Sequence, residues 1–341
     1  MKVVKSENPL AQLDTLDGYR RYFIDANYWQ PYVRLVCSRH AHSPCRTIRS
    51  GLPGTYPTFI VDDQWVVKFF GRLFDGALAF DTELQVSKLL TRNHAIPTPA
   101  LIASGCLWES PPDWPWPYLI FELIPGVSIG EVYAQIPFRD KLMLARSLGE
   151  ITRRLHALPV ANTTVFQPTW DAYFNLLQEQ RTRCESTHQA WGSLPAHWIE
   201  QIDTFLLPLD ILLDRSITPH VIHADLTRDH ILGSLEGGRW ATRGIIDFGD
   251  AMIGNIFYEL IALHLDLFRC NKRLLKVYLD TYGLDEQSRP TLPPKALSTA
   301  LLHRFNIFAG IFESYPRARE VSTLDQLASL LWDVNTPGLD G

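Results

Sequence analysis

The sequence predicts an α+β protein with two lobes: a small N-terminal lobe made of an antiparallel sheet and one main helix, and a larger, mostly helical C-terminal lobe. Short runs of β-branched and aromatic residues, separated by glycine and aspartate turns, indicate antiparallel strands over residues 45–70. From residue 127 onward, apolar residues recur at helical spacing. We therefore expect an N-terminal helical extension over 1–44, a first lobe over 45–125 and a second lobe over 126–341.

Three amphipathic segments predict the first helices of the C-terminal lobe. They span residues 142–155, 170–177 and 199–206. Their apolar faces are ordinary core stripes, and we assign them no role in binding a cofactor.

The composition is that of a globular protein with a sizeable core. Of 341 residues, 46% are hydrophobic and 20% are charged, which excludes a disordered chain. The net charge of −5 argues against a nucleic-acid partner, because such proteins normally present a basic patch. The five cysteines are scattered, without the spacing of a zinc site or a disulfide framework.

No segment of the sequence predicts an association with a membrane. The N-terminal residues lack the apolar core of a signal peptide, and no apolar run is long enough to span a bilayer. We expect a cytoplasmic protein that binds neither membrane nor nucleic acid. The sequence leaves its oligomeric state open.

Three polar side chains in the second half of the chain are candidates for catalysis. Asp225, His230 and Asp247 each lie beside short apolar runs that read as buried strands or strand ends. Loops at the edge of such a scaffold are where chemistry is usually carried out. Two carboxylates and an imidazole indicate a metal site and a proton acceptor, which are the groups that phosphoryl transfer needs.

The motifs around these residues resemble those of a known fold. His223-x-Asp225-x-x-x-x-His230, followed by Asp247-Phe248-Gly249, is similar to the catalytic and metal loops of the protein-kinase-like fold. Either motif alone is a weak signal, and their order after strand-like runs makes the pair specific. The pattern most resembles the aminoglycoside phosphotransferase family, over about residues 50–265.

One position departs from the usual family pattern. The family usually has Asn where His230 stands, and macrolide phosphotransferases, a branch of the family, are similar to this chain in having His there. Asn offers Mg²⁺ a hard oxygen, whereas imidazole suits softer metals. Whether His230 supports full metal binding is therefore left open.

The resemblance implies an ATP-dependent (or GTP-dependent) kinase that acts on a small-molecule hydroxyl. Asp225 would orient the acceptor hydroxyl and accept its proton, and Asp247 with His230 would hold Mg²⁺. We expect His223 to form a hydrogen bond inside its loop. Arg228 either forms a surface ion pair, which we favour, or contacts phosphate.

A glycine turn and a lysine in the first lobe are candidates for phosphate binding. Gly51, Gly54 and Thr55 lie in a turn that, by the resemblance, covers the ATP phosphates, although most such turns are only turns. Lys68 lies inside an apolar strand. It is either an outward-facing lysine on an edge strand or the phosphate-binding lysine, and the carboxylates downstream favour the second interpretation.

A helix over residues 76–92 supplies the candidate partner of Lys68. Its predicted apolar stripe consists of Leu78, Leu84, Leu89 and Leu90. Glu83 on this helix is our candidate for the ion pair with Lys68, chosen from the resemblance, and Asp81 is a rival. The resemblance also implies that backbone groups near Glu122 and Ile124 pair with adenine.

The acceptor is the least determined feature. An aminoglycoside-type antibiotic leads because of the family resemblance, and His230 adds support for a macrolide. Sugars and other small alcohols remain alternatives. An interpretation of another class is a non-catalytic, nucleotide-binding pseudokinase module in which His230 has replaced a proper metal ligand.

Overall fold

The computed structural model describes residues 10–40, 45–91, 95–109, 114–213 and 215–335. Residues 1–9 and 41–44 of the expected N-terminal extension lie outside this description. The described residues form two compact units, one within Met1–Pro125 together with Gly244–Asp250, the other within Gly126–Arg243 together with Ala251–Gly341. The predicted α+β class, with a small antiparallel sheet in the N-terminal part and a larger helical part, is confirmed.

The first unit consists of a five-stranded antiparallel sheet and three helices. Its elements are α1 (Leu16–Tyr22), α2 (Ala26–Arg39), β1 (Ile48–Ser50), β2 (Thr58–Val61), β3 (Trp65–Phe69), α3 (Gly76–Leu90), β4 (Leu101–Cys106) and β5 (Pro117–Glu122). The strand order is β1-β2-β3-β5-β4, and all four pairings are antiparallel. Strand β3 is therefore the central strand, which excludes the edge-strand interpretation of Lys68.

Side-chain alternation along β3 and β5 gives the sheet two apolar faces. On one face Phe69 and Trp116 pack around Trp29 of α2, with ring centroids 4.7 and 5.3 Å from it. On the other face Leu119 and Phe121 pack near Ala79 of α3. The sheet is thus covered by a helix on each side.

The predicted apolar stripe of α3 is wrong at Leu78, which is 57% exposed. The face of α3 that is buried instead carries Ala79, Thr82, Glu83, Val86 and Leu90. These positions follow the helical i, i+3, i+4, i+7 spacing. Of the four predicted leucines, Leu90 is buried and Leu84 and Leu89 are partly buried.

The second unit is mainly helical and holds two small sheets. Its elements are β6 (Val127–Ser128), α4 (Ile129–Val132), α5 (Phe138–His156), α6 (Asp171–Trp191), α7 (Ala196–Ile199), α8 (Ile202–Phe205), α9 (Leu209–Leu212), β7 (His220–Ile222), β8 (Ile231–Glu236), β9 (Arg239–Ile245), β10 (Met252–Gly254), α10 (Ile256–Ala262), α11 (Lys272–Tyr282), α12 (Leu292–Leu301), α13 (Ile311–Ser314) and α14 (Leu324–Trp332). The sheets have the orders β10-β7 and β6-β8-β9.

The helix predicted over 199–206 is instead two short helices, α7 and α8. The side-chain amide of Gln201 donates to the carbonyl of His197 at 2.6 Å. In a continuous helix that carbonyl would accept from the backbone N–H of Gln201, which here bonds to Trp198 at 3.1 Å. The side chain has replaced the backbone donor, and the helix ends there.

Candidate active site

Three charged side chains of the first unit meet in one cluster. Lys68 Nζ lies 2.7 Å from Glu83 Oε2 and 2.8 Å from Asp247 Oδ1. The Lys68 and Glu83 side chains are 8% and 5% exposed, whereas Asp247 is 33% exposed. The ion pair expected between Lys68 and Glu83 is therefore present, and Asp247 is its second carboxylate.

The local fold explains how these side chains meet. Lys68 lies opposite Leu119 in the register of β3 and β5, on the sheet face that α3 covers. Glu83 lies on the buried face of α3. Asp247 follows β9 with a left-handed φ of 67°, a conformation that Asp tolerates better than most residues.

Burial and charge act in opposite directions on this cluster. Burial alone lowers the pKa of Lys68, but attraction to Asp247 and Glu83 outweighs it, so the pKa is raised and the ammonium stays charged. Burial raises the pKa of Glu83 to about 7, and the charge of Lys68 only partly opposes this rise. One cation faces two carboxylates, so the cluster favours a further cation.

The glycine turn before β2 contacts the N-terminal helices. Gly51 N–H donates to the carbonyl of Thr58 at 2.7 Å, and an added Cβ at Gly51 would lie 2.9 Å from Thr58 Cγ2. Thr55 accepts a hydrogen bond from the Tyr19 hydroxyl of α1 through its carbonyl. A Cβ at Gly54 would meet nothing described within 4 Å. Gly51 is thus needed for packing, whereas Gly54 faces open space.

Strand β5 uses part of the predicted adenine-binding backbone in its own sheet. The N–H of Glu122 donates to the carbonyl of Ala100 at 2.9 Å, and the N–H of Leu123 donates to Gln64 at 2.8 Å. The N–H of Glu122 is therefore already bonded within the sheet.

Asp225 lies in the second unit, in a loop that we call the catalytic loop (residues 223–230). Ala224, just before it, has a left-handed φ of 66°, and its N–H donates to Glu259 Oε2 at 2.9 Å. His223 Nδ1 accepts a hydrogen bond from the N–H of Asp225 at 3.4 Å, inside the loop as expected. Glu259 is 1% exposed, and burial raises its pKa to about 7.

His230 is oriented by the backbone of the same loop. Its Nδ1 lies 2.6 Å from the carbonyl of Asp225 and 3.2 Å from Thr227 Oγ1. Because a carbonyl only accepts, Nδ1 carries a proton and donates it to this bond, which leaves Nε2 as the nitrogen that could bind a metal. This orientation suits a metal-ligating histidine, since ligating histidines usually donate their other N–H to a carbonyl or carboxylate.

The donor set fits Mg²⁺ through Asp247 better than through His230. Asp247 offers hard oxygens in a partly exposed carboxylate next to excess negative charge. In the part of the chain that the structure describes, no three His, Cys, Asp or Glu side chains are grouped to hold a metal by themselves. A Mg²⁺ ion bound mainly by phosphates, waters and one or two carboxylates is compatible with this arrangement.

Sequence reasoning missed Asp266. Its Oδ2 accepts the backbone N–H of Arg228 at 2.8 Å, and its Oδ1 lies 3.5 Å from Arg228 Nε. Arg228 thus forms the expected ion pair. Asp266 follows α10 in a π-helical segment, Leu263–Leu267. The available signal is an acidic residue seven positions after Glu259 in a mostly apolar segment.

A cavity of about 310 Å³ opens beside Asp225 in the second unit. Its lining includes the carboxylates of Asp225, Asp266 and Glu313 and the apolar side chains of Leu265 and Ile311.

The predicted site residues fall into two groups. Lys68, Glu83 and Asp247 lie in the first unit, and Asp225 and His230 lie in the second.

The family comparison identifies the chain's relatives. A model of the phosphotransferase enzyme family matches residues 49–293. The structure is similar to the GDP complex of wild-type aminoglycoside 2'-phosphotransferase-IIIa, with a TM-score of 0.62 and 22% identity, over 89% of this chain and 97% of that one. It is also similar to the microcompartment-associated aminopropanol kinase, with a TM-score of 0.55 and 16% identity, over 89% and 94% of the two chains.

A curated relative is much longer than this chain. Lysine-specific demethylase JMJ21 of Arabidopsis thaliana is 25% identical over an alignment of 272 positions that covers 64% of this chain. The match spans only 29% of that protein, so its demethylase activity is not carried over.

Among the described helices, none combines the length and apolarity that crossing a bilayer requires.

Proposed function

This chain belongs to the phosphotransferase enzyme family, and from that premise we propose that it transfers the γ-phosphoryl group of ATP or GTP to a hydroxyl of a small molecule. The observation that carries the proposal is the buried ammonium of Lys68 held between Glu83 and Asp247. A lysine fixed in this way is what binding of the α- and β-phosphates requires.

In the first unit we assign the nucleotide to three sets of groups. Lys68, oriented by Glu83, would contact the α/β-phosphates, and the turn that contains Gly51, Gly54 and Thr55 would cover the phosphates with backbone N–H groups. Backbone groups at Glu122 and Ile124 would pair with the base. Solved relatives are complexes with GDP, with ADP and with ATP, so both purine nucleotides remain candidates.

In the second unit we assign the acceptor to Asp225. A carboxylate is a weak base at neutral pH, so much of its contribution would be to align the acceptor hydroxyl. The hydrogen bonds that hold Ala224 and His230 fix the backbone on both sides of Asp225. Asp247 with His230 would hold Mg²⁺, which neutralises charge on the phosphates.

For the acceptor we propose an aminoglycoside-type antibiotic. Several solved relatives are aminoglycoside phosphotransferases, and the carboxylates around the cavity suit a cationic acceptor. A smaller amino alcohol is the second candidate, since the cavity volume of about 310 Å³ is near the lower end of the roughly 300–1,000 Å³ typical of ligand pockets. His230 keeps a macrolide as an alternative, and sugars remain possible acceptors.

The test is nucleotide turnover against a panel of acceptors. Purified protein with Mg-ATP or Mg-GTP is offered aminoglycosides, macrolides, amino alcohols and sugars, and the phosphorylated product is identified by mass spectrometry. We expect Asp225→Ala to lower kcat at least 100-fold, the usual contribution of a positioned base. Asp325→Ala, which removes an exposed carboxylate of α14, is the matched control and should retain full activity.

Two outcomes would contradict parts of this proposal. A loss of only a few-fold in Asp225→Ala would refute the role of Asp225. Binding of Mg-nucleotide without phosphorylation of any acceptor, by wild type and variant alike, would favour the pseudokinase module. We further propose that the protein acts in the cytoplasm without a nucleic-acid or membrane partner, which fractionation of cells would test.

A further inference from the structure

We propose that Asp266 is a positioning residue that holds the catalytic loop through the backbone N–H of Arg228, a role that rests on the proposed function of Asp225. Its carboxylate accepts this N–H at 2.8 Å. The bond joins the π-helical segment to the middle of the catalytic loop, three residues after Asp225. Nothing in the sequence motifs marks Asp266 for this role.

The geometry of the helix makes Asp266 the second of two holding points. Glu259 lies in α10, and Asp266 lies seven residues later in the π-helical segment that follows it. Glu259 accepts the N–H of Ala224, and Asp266 accepts the N–H of Arg228. One helix therefore fixes two loop residues that flank Asp225.

The two bonds hold residues on both sides of Asp225. Ala224 directly precedes it, and Arg228 follows three residues later. Asp225 therefore lies between two backbone groups that are each bonded to a carboxylate.

The second holding point also orients His230. The loop folds back after Asp225, with Thr227 N–H donating to the Asp225 carbonyl at 2.9 Å and His230 N–H donating to the Thr227 carbonyl at 3.2 Å. Arg228 lies inside this turn. Losing the bond to Asp266 frees the turn and with it the carboxylate of Asp225, while the first holding point at Ala224 remains.

The contact of Asp266 with the Arg228 side chain is the weaker of its two contacts. The Nε–Oδ1 distance is 3.5 Å, and the two side chains are 40% and 33% exposed. Exposed ion pairs of this kind contribute little. The backbone bond at 2.8 Å is shorter and goes to a group that cannot move away by rotating a side chain.

Three variants separate the backbone bond from the other roles of Asp266. Asp266→Ala removes the acceptor, Asp266→Asn keeps an oxygen acceptor but removes the charge, and Arg228→Ala removes the ion pair but keeps the backbone N–H. We expect kcat to fall roughly 10- to 100-fold in Asp266→Ala, the range for a lost hydrogen bond to a charged group. The KM for nucleotide should be unchanged, Asp266→Asn should stay within about threefold of wild type, and Arg228→Ala should lose clearly less kcat than Asp266→Ala.

Amide hydrogen exchange at Arg228 provides a readout that does not depend on turnover. Exchange of this amide should be faster in Asp266→Ala than in wild type, and unchanged in Arg228→Ala. If wild type turns over no acceptor, the proposed function fails, and the exchange experiment still tests the positioning. A thermal melt of each variant shows whether it folds. If Asp266→Ala does not fold, Asp266→Asn is compared with wild type in its place.

Each remaining outcome overturns the proposal. Equal losses in Arg228→Ala and Asp266→Ala would assign the effect to the ion pair. An Asp266→Asn variant as impaired as Asp266→Ala would assign it to the charge. A rise in the acceptor KM alone, with kcat unchanged, would make Asp266 a substrate-binding residue of the cavity. Unchanged exchange at Arg228 in Asp266→Ala would exclude the holding role.

Discussion

The two candidate regions are held in place by different forces. In the first unit, Lys68, Glu83 and Asp247 are positioned by attraction between charges that are largely removed from water. In the second unit, Asp225 is positioned by its own backbone, whose N–H groups at Ala224 and Arg228 donate to the carboxylates of one helix. The first arrangement fixes side chains to side chains, and the second fixes main chain to side chains.

This difference predicts different responses to substitution. A buried charge that loses its partner keeps its desolvation cost, so the first region should respond strongly in stability. The N–H of Arg228 makes a partly buried bond and can turn to water when it loses Asp266, so this loss should act mainly on the geometry of Asp225. Loss of Asp266 should therefore affect activity more than stability, whereas loss of Lys68 should affect both.

Removing Lys68 is the strongest test of the charge cluster. Lys68→Ala leaves Glu83 buried and facing Asp247, and we expect the free energy of unfolding to fall by about 3–5 kcal/mol at pH 8, the cost of breaking a buried pair. The measurement is denaturant unfolding at several pH values. Nucleotide binding, followed by calorimetry, should be lost as well.

The pH dependence of this variant follows from Glu83. Without Lys68 the folded-state pKa of Glu83 lies still further above its unfolded value of about 4.5, so stability falls as pH rises through that window. The loss should thus be smaller at pH 5 than at pH 8. The matched control is Lys68→Met with Glu83→Gln, which removes both charges and should recover much of the stability. If the single and the double variant lose the same unfolding free energy, the unpaired charge of Glu83 is not the cause of the loss.

The sequence was sufficient to pick out the candidate residues but not to predict what surrounds them. The position of Lys68 in an apolar strand and the carboxylates after strand-like runs are local patterns. Whether β3 is central or at an edge depends on strand pairing, which is not local, and only its pairing with β5 excludes an edge position for Lys68. The buried side of α3 was misjudged at Leu78 because burial depends on what the helix packs against.

Glu259 offers a test of intermediate size in the second region. Its pKa is raised to about 7 in the folded protein, above an unfolded value near 4.5, so the folded protein holds a proton that the unfolded chain has lost. Stability should therefore fall by up to about 3 kcal/mol between pH 5 and pH 8 on account of this residue. Glu259→Gln keeps an acceptor for Ala224 N–H and should flatten this part of the curve.

The measurement is the difference between the unfolding free energies of wild type and Glu259→Gln as a function of pH. Taking the difference removes the contributions of other groups, including Glu83. Because Gln still accepts the Ala224 N–H, kcat should change by less than tenfold. If the unfolding free energy of Glu259→Gln falls with pH as steeply as that of wild type, Glu259 does not titrate between pH 5 and pH 8. It would then already be ionised in the folded protein at pH 5, which contradicts the prediction.

Asp266 shows why parts of the second region escape sequence analysis. An acidic residue in a helix is usually solvated, and its spacing from Glu259 has meaning only when the loop beside the helix is known. The π-helical segment that carries it is defined by the bond from Phe268 N–H to the carbonyl of Leu263, which leaves no residue signature. Long-range hydrogen bonds of the main chain are the feature that sequence patterns record least.

The smallest effect is expected in the glycine turn, where the first region also depends on its backbone. Gly51→Ala places a Cβ 2.9 Å from Thr58 Cγ2 and should lower stability by roughly 1–3 kcal/mol, the cost of overpacking. Gly54→Ala meets no described atom within 4 Å and should leave stability unchanged or raise it by about 0.4–1 kcal/mol. If the turn covers the phosphates, Gly54→Ala alone should raise the nucleotide KM, because a methyl group would stand where the backbone approaches the ligand. An unchanged nucleotide KM in Gly54→Ala would remove Gly54 from the phosphate site and leave the charges of Lys68 and Asp247 as the main nucleotide-binding groups of the first unit.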